Sequence, residues 1–123
     1  MSKKVRIRWL SEPEAQDYPA AYSYLCLIYR EPTAATHVNK LKRAAISQFK
    51  AKDIFRASSL SLLGISNMHV EKDQLKIKSG QGLSPLLLVR DPVNGKVIIA
   101  DGYHRLCAVY ASDEDATIPC KIV

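Results

Sequence analysis

The 123-residue chain lacks any apolar run near the roughly 20 residues that a bilayer-spanning helix needs. Its N-terminus, Met1-Ser2-Lys3-Lys4-Val5-Arg6-Ile7-Arg8, carries charge but no apolar segment behind it, so it does not read as a secretory signal. The expectation is a cytoplasmic protein without a membrane partner. Cysteine is scarce: Cys26, Cys107 and Cys120 are an odd, scattered set with no CxxC pair. That excludes a disulfide framework and gives no zinc spacing. His37, His69 and His104 are equally dispersed, so no metal site is expected. No internal repeat, low-complexity stretch or linker divides the chain, which reads as one domain spanning 1–123.

Aromatic residues amount to 7%, and none is interleaved with Lys40–Arg43 as a base-stacking platform requires. What is present is ordinary globular material, 47% hydrophobic and 24% charged. The formal net charge of +6 is uneven: residues 1–56 hold 11 Lys/Arg against 5 Asp/Glu, while residues 57–123 hold 7 of each. A basic half of this kind steers towards nucleic acid or another polyanion, or it is simply a solvated lysine-rich face.

Val5–Leu10 alternates apolar and basic residues and reads as a short strand or extended arm. Ser11 and Glu14 have capping-box spacing, and Asp17-Tyr18-Pro19 offers a second start, so a helix is expected from about Tyr18 to Arg30. With stripes at Ala21, Leu25, Ile28 and at Tyr22, Cys26, Tyr29, it should be largely buried, its tyrosines packing in the core or at a dimer interface. Pro32 suits the first turn of a second helix with Ala34, Val38, Leu41 and Ala45 inward, making an αα-hairpin over residues 1–45. Gln48–Ser59 is ambiguous; Asp53 is placed to cap a short helix from Ile54 to Leu60. Ser61–Asn67 reads as a loop pivoting on Gly64, followed by a helix His69–Lys78 with Asn67 as its N-cap.

The apolar run Leu83–Arg90 predicts a buried strand, Asn94-Gly95 a hairpin turn, and Lys96–Ala100 the returning strand. Tyr103–Ala111 has helical spacing, Asp113–Ala116 is an acidic loop, and Thr117–Val123 reads as a last strand. The expected class is α/β (α+β): a small mixed sheet with helices over residues 46–123, preceded by the N-terminal αα-hairpin.

The segment that carries chemistry is Val97-Ile98-Ile99-Ala100-Asp101-Gly102-Tyr103-His104-Arg105. A strand runs into a glycine turn and then directly into a helix. Unpaired N–H groups and the helix dipole favour an anion at such a start. Gly102 allows close backbone approach, Arg105 grips phosphate or carboxylate with a planar fork, and His104 donates or titrates near neutrality. Asp101 caps the helix, holds Arg105, or shares a divalent cation such as Mg2+ with a bound nucleotide. The bland alternative is a capped turn with two solvated side chains. It sits poorly with a cation at a helix N-terminus, which is a local cost. A first-turn position also predicts that Arg105→Ala abolishes ligand binding with little effect on melting.

Gly102-Tyr103-His104-Arg105 resembles the Gly-Cys-His-Arg signature of sulfiredoxins and stands where ParB proteins have Gly-Glu-Arg-Arg. Leu83-Ser84-Pro85-Leu86-Leu87-Leu88-Val89 is similar to the strand that precedes it in the ParB/sulfiredoxin superfamily, and Ile118-Pro119 to the closing strand. The resemblance covers residues 67–123. It implies a ParB/sulfiredoxin-like fold and nucleotide phosphates on Gly102, His104 and Arg105. The turn itself offers Asp101 and His104 as catalytic groups if phosphotransfer or hydrolysis follows. Tyr103 replaces the reactive cysteine of sulfiredoxin, so sulfinic-acid reduction is not expected. No helix-turn-helix region is recognisable after the domain. Glu71, Asp73 and Asp53 are further candidate carboxylates. The alternative function is DNA association or nuclease-like activity through the basic N-terminal half. A third is a non-catalytic module dimerising through the aromatic helix.

Overall fold

The computed structural model describes residues 6–62 and 67–123. Two helices come first, α1 (Asp17–Leu25) and α2 (Glu31–Arg43), followed by β1 (Ser47–Lys50), α3 (Ala51–Ser58) and α4 (Met68–Lys78). The remainder is β2 (Leu86–Asp91), a 3-10 turn (Pro92–Asn94), β3 (Lys96–Asp101), α5 (Tyr103–Ser112) and β4 (Thr117–Ile122). Among the described residues this is a mixed α/β fold of five helices and a four-stranded sheet ordered β1-β4-β2-β3. β1 pairs with β4 and β2 with β3 antiparallel; β2 and β4 run parallel, joined by a crossover through β3 and α5.

Both faces of the sheet are covered, which explains the unbroken apolar run in β2. Leu86 and Leu88 point to one side, with Ile99, Ile118 and Cys120, and pack against α3, α4 and α5. Leu87 and Val89 point to the other, with Ile98 and Ala100, and meet Ala21 and Leu25 of α1 and Ala34, Val38 and Leu41 of α2. The αα-hairpin therefore covers the second face of the same sheet. Lys121 of β4, 3% exposed, reaches into this layer. Its ammonium donates to the Lys42 carbonyl at 3.0 Å, lies 3.6 Å from Glu12 and sits 5.9 Å from the Tyr18 ring centroid.

Local signals account for most element ends. Asn67 accepts hydrogen bonds from the His69 and Val70 amides and starts α4. Gly95 takes the left-handed conformation (φ +66°) that closes the β2–β3 hairpin. The expected arm at the N-terminus is a single parallel bridge, Trp9 to Leu83, with Val5 outside the described residues.

Four expectations are corrected. α1 stops at Leu25, followed by a turn that leaves Leu27 83% and Ile28 46% exposed, so this segment is not largely buried. The capping exchange falls one turn later than Ser11–Glu14: the Glu14 amide donates to the Asp17 carboxylate at 2.9 Å, and Asp17 N donates to the Glu14 carbonyl at 3.0 Å. Ala45 lies beyond the end of α2 and is exposed. The ambiguous Gln48–Ser59 contains a strand and a helix, and Asp53 lies inside the first turn of α3 rather than capping it. Residues 63–66 of the Ser61–Asn67 segment, Gly64 included, lie outside the described residues.

Cys107 and Cys120 are buried and Cys26 is partly exposed. Burial pushes the Cys120 thiol up to about 12, far from the thiolate that reacts. A thiol reagent at pH 8 is expected to titrate one sulfhydryl per native chain and three after denaturation, with Cys26→Ser abolishing the native signal. Fast native labelling in the Cys26→Ser variant would contradict the packing of α5 and β4.

Candidate functional site

β3 ends at Asp101, and Gly102 (φ +108°, ψ 14°) turns the chain into α5. An added Cβ at Gly102 would sit 2.7 Å from Leu86 Cγ and 3.0 Å from Arg105 Nη2. Glycine is therefore required here by backbone angle and by the core beneath it. No side chain caps α5, so its N–H groups face the junction with their partial positive charge.

α4 runs beside this start. His69, Lys72, Asp73 and Lys76 recur at helical spacing on one of its faces, and with Asp101, Gly102, Tyr103, His104 and Arg105 they enclose a cavity of about 220 Å³. The four residues singled out at the turn, Asp101, Gly102, His104 and Arg105, line this one cavity. Lys72, Lys76 and Arg105 supply three cations against the carboxyls of Asp73 and Asp101. The His69 and His104 rings lie 4.8 Å apart, and the Tyr103 hydroxyl donates to the Ser61 carbonyl, tying the preceding segment to α5.

Burial holds His104 below the ordinary histidine value of 6.5; His69 and Arg105 add to this and Asp73 opposes it. The neutral ring, able to donate or accept a proton, is favoured at pH 7. Burial pushes the Asp101 carboxyl above the usual carboxylate range, against the opposing pull of Arg105 and with help from the neighbouring Asp17 carboxylate.

Arg105 is not a solvated first-turn side chain. Its Nη2 lies 3.0 Å from Asp101 Oδ2 and donates to the Pro85 carbonyl at 3.4 Å, both side chains of the pair being 17% exposed. Its Nε is buried without a hydrogen-bond partner. The guanidinium thus has a structural share, and Arg105→Ala cannot be neutral for stability. Asp17, 6% exposed, stands behind the pair and accepts from Ser84 Oγ, which links α1 to the segment leading into β2.

Sequence reasoning missed His69, Lys72, Lys76 and Asp17. The first three had a usable signal, since residues 69, 72, 73 and 76 form a polar stripe along the same helix, bordering the core residues Val70 and Ile77. Of the three further carboxylates considered, Asp73 lines the cavity; Glu71 is exposed, and Asp53 lies in a separate cavity with Phe49 and Arg90. A larger hollow of about 710 Å³ beside Trp9 and β1 has Arg6 and Asp113 as its charged lining and takes in none of Asp101, Gly102, His104 and Arg105. Lys40, Lys42 and Arg43 occupy the last turn of α2, where cations complement the helix dipole, and Lys52 pairs with Asp115 at 2.6 Å. Among the described residues, the basic side chains of the N-terminal half do not line the α4–α5 cavity. Among the described residues no cluster of metal-ligating side chains occurs, and no helix is long and apolar enough to cross a membrane. Comparison with models of known families, with curated proteins and with solved structures finds no match.

Proposed function

We propose that the α4–α5 cavity binds a nucleotide or another phosphate-bearing ligand, on a fold of the ParB/sulfiredoxin type. The observation that carries this reading is the convergence of Lys72, Lys76, His69, His104 and Arg105 on the uncapped start of α5. A phosphate there meets backbone N–H groups, the positive end of a helix and flexible ammonium groups. The β2–β3 hairpin, the turn, α5 and β4 with its Ile118-Pro119 follow the order that the resemblance implies. If chemistry follows binding, His104 is the group to move a proton, and Asp101 and Asp73 are the carboxylates beside the phosphate. A Mg2+ ion brought by a nucleotide would offset their charge.

Isothermal titration with ATP, CTP and GTP, each with and without magnesium, tests the reading. Binding of at least one nucleotide is expected, weakening with salt and lost when Lys72 and Lys76 are both changed to Ala. No heat from any of the three at millimolar concentration would end the proposal.

A further inference from the structure

A second cavity, about 390 Å³, shares Asp101, Gly102, Tyr103 and His104 with the first. Its other walls are Ala20 and Tyr24 of α1, Leu60, and Ile99 and Ala100 of β3. These are apolar or aromatic, whereas the first cavity adds His69, Lys72, Asp73 and Lys76. The turn is thus a shared wall between a charged lobe and an apolar one. Tyr24 and Leu60 are large side chains left 41% and 42% exposed at the apolar lobe. Exposed apolar surface gathered beside a polar recess is the ordinary composition of a small-molecule site, in which few polar groups orient and apolar walls hold.

We propose that the two lobes hold one ligand: an anionic group against α4 and the start of α5, joined to a planar ring that lies against Tyr24. The proposal rests on the phosphate reading above and adds its specificity. The four wall residues common to both lobes set them side by side, which argues for a single occupant, and the chemical contrast between them argues for a ligand with two unlike ends. A nucleobase on its phosphates has this form. Tyr24 is then a specificity-determining residue, and the αα-hairpin, besides covering the sheet, supplies the ring-binding wall.

The experiment titrates the full chain and its Tyr24→Ala and Tyr24→Phe variants with ATP, CTP and inorganic tripolyphosphate, and checks melting of each. Tyr24 projects partly into solvent, so both variants are expected to fold. The wild type should bind its preferred nucleotide more tightly than tripolyphosphate. Tyr24→Ala should weaken the nucleotide roughly tenfold, as loss of a ring-stacking face does, and leave tripolyphosphate unchanged. Tyr24→Phe keeps the ring and should restore nucleotide affinity. Equal affinity of the wild type for nucleotide and tripolyphosphate, or a Tyr24→Ala effect of the same size on both, overturns the ring-binding lobe while the phosphate reading stands. Binding of neither probe by the wild type overturns both.

Discussion

Gly102→Ala is expected to lower the free energy of unfolding by about 3 kcal/mol, while Gly80→Ala lowers it by about 1 kcal/mol. Both glycines have positive φ, +108° and +75°, so each substitution incurs a backbone penalty. They differ in surroundings. A Cβ at Gly80 meets nothing within 4 Å, whereas at Gly102 it meets Leu86 Cγ at 2.7 Å. Leu86, the first residue of β2, is fully buried in the core cluster that includes α5, where close packing resists its retreat. Overpacking is added to strain, and the start of α5 must shift. Denaturant titration of the two variants measures the difference, with the slope checked for constancy. Equal losses in the two would mean that Leu86 does not constrain the turn. Because the same movement displaces the α5 amides, Gly102→Ala should also weaken phosphate binding, and Gly80→Ala should not.

That glycine was legible from the sequence for one reason and required for a second. The strand–turn–helix over residues 97–105, the Asn94-Gly95 hairpin and the Asn67 cap all rest on local chemistry, and each is where the pattern put it. The contact with Leu86 is not local, and nothing in a glycine announces it. β1 escaped for a similar reason. It is four residues long, pairs with β4 about seventy positions away, and passes straight into a helix. Asp17 read as a helix-start residue, and it is one. Its burial against Ser84, 67 residues on, follows only from the packing of α1 on the sheet. The long apolar stripe after Tyr18 misled in the opposite direction: Leu27 and Ile28 follow the last turn of α1 and face outward. Helical periodicity says which residues share a face and not where the helix stops.

Arg105→Ala is expected to cost about 2 kcal/mol of stability at pH 7.5 and much less near pH 4.5. The truncation leaves the Asp101 carboxyl, 17% exposed, beside Asp17 with no cation in contact. Burial already raises the Asp101 value above 3.8 in the folded protein, so the native state holds this proton more tightly than the unfolded chain does. Between those two values stability falls as pH rises, because ionisation is penalised only in the fold. Arg105 opposes that rise. Its removal moves the folded value further up and extends the falling limb towards neutrality, which places the loss at high pH. Asp101→Asn in the Arg105→Ala background removes the group that must ionise, and it should recover most of the lost stability and flatten the pH dependence. A penalty that is the same at both pH values, or that survives in the double variant, would assign the loss to packing of the guanidinium on Pro85 instead. The double variant also separates the two roles of Arg105. Stability returns when the uncompensated carboxyl is gone, whereas phosphate affinity, which needs the planar fork itself, stays low in either variant.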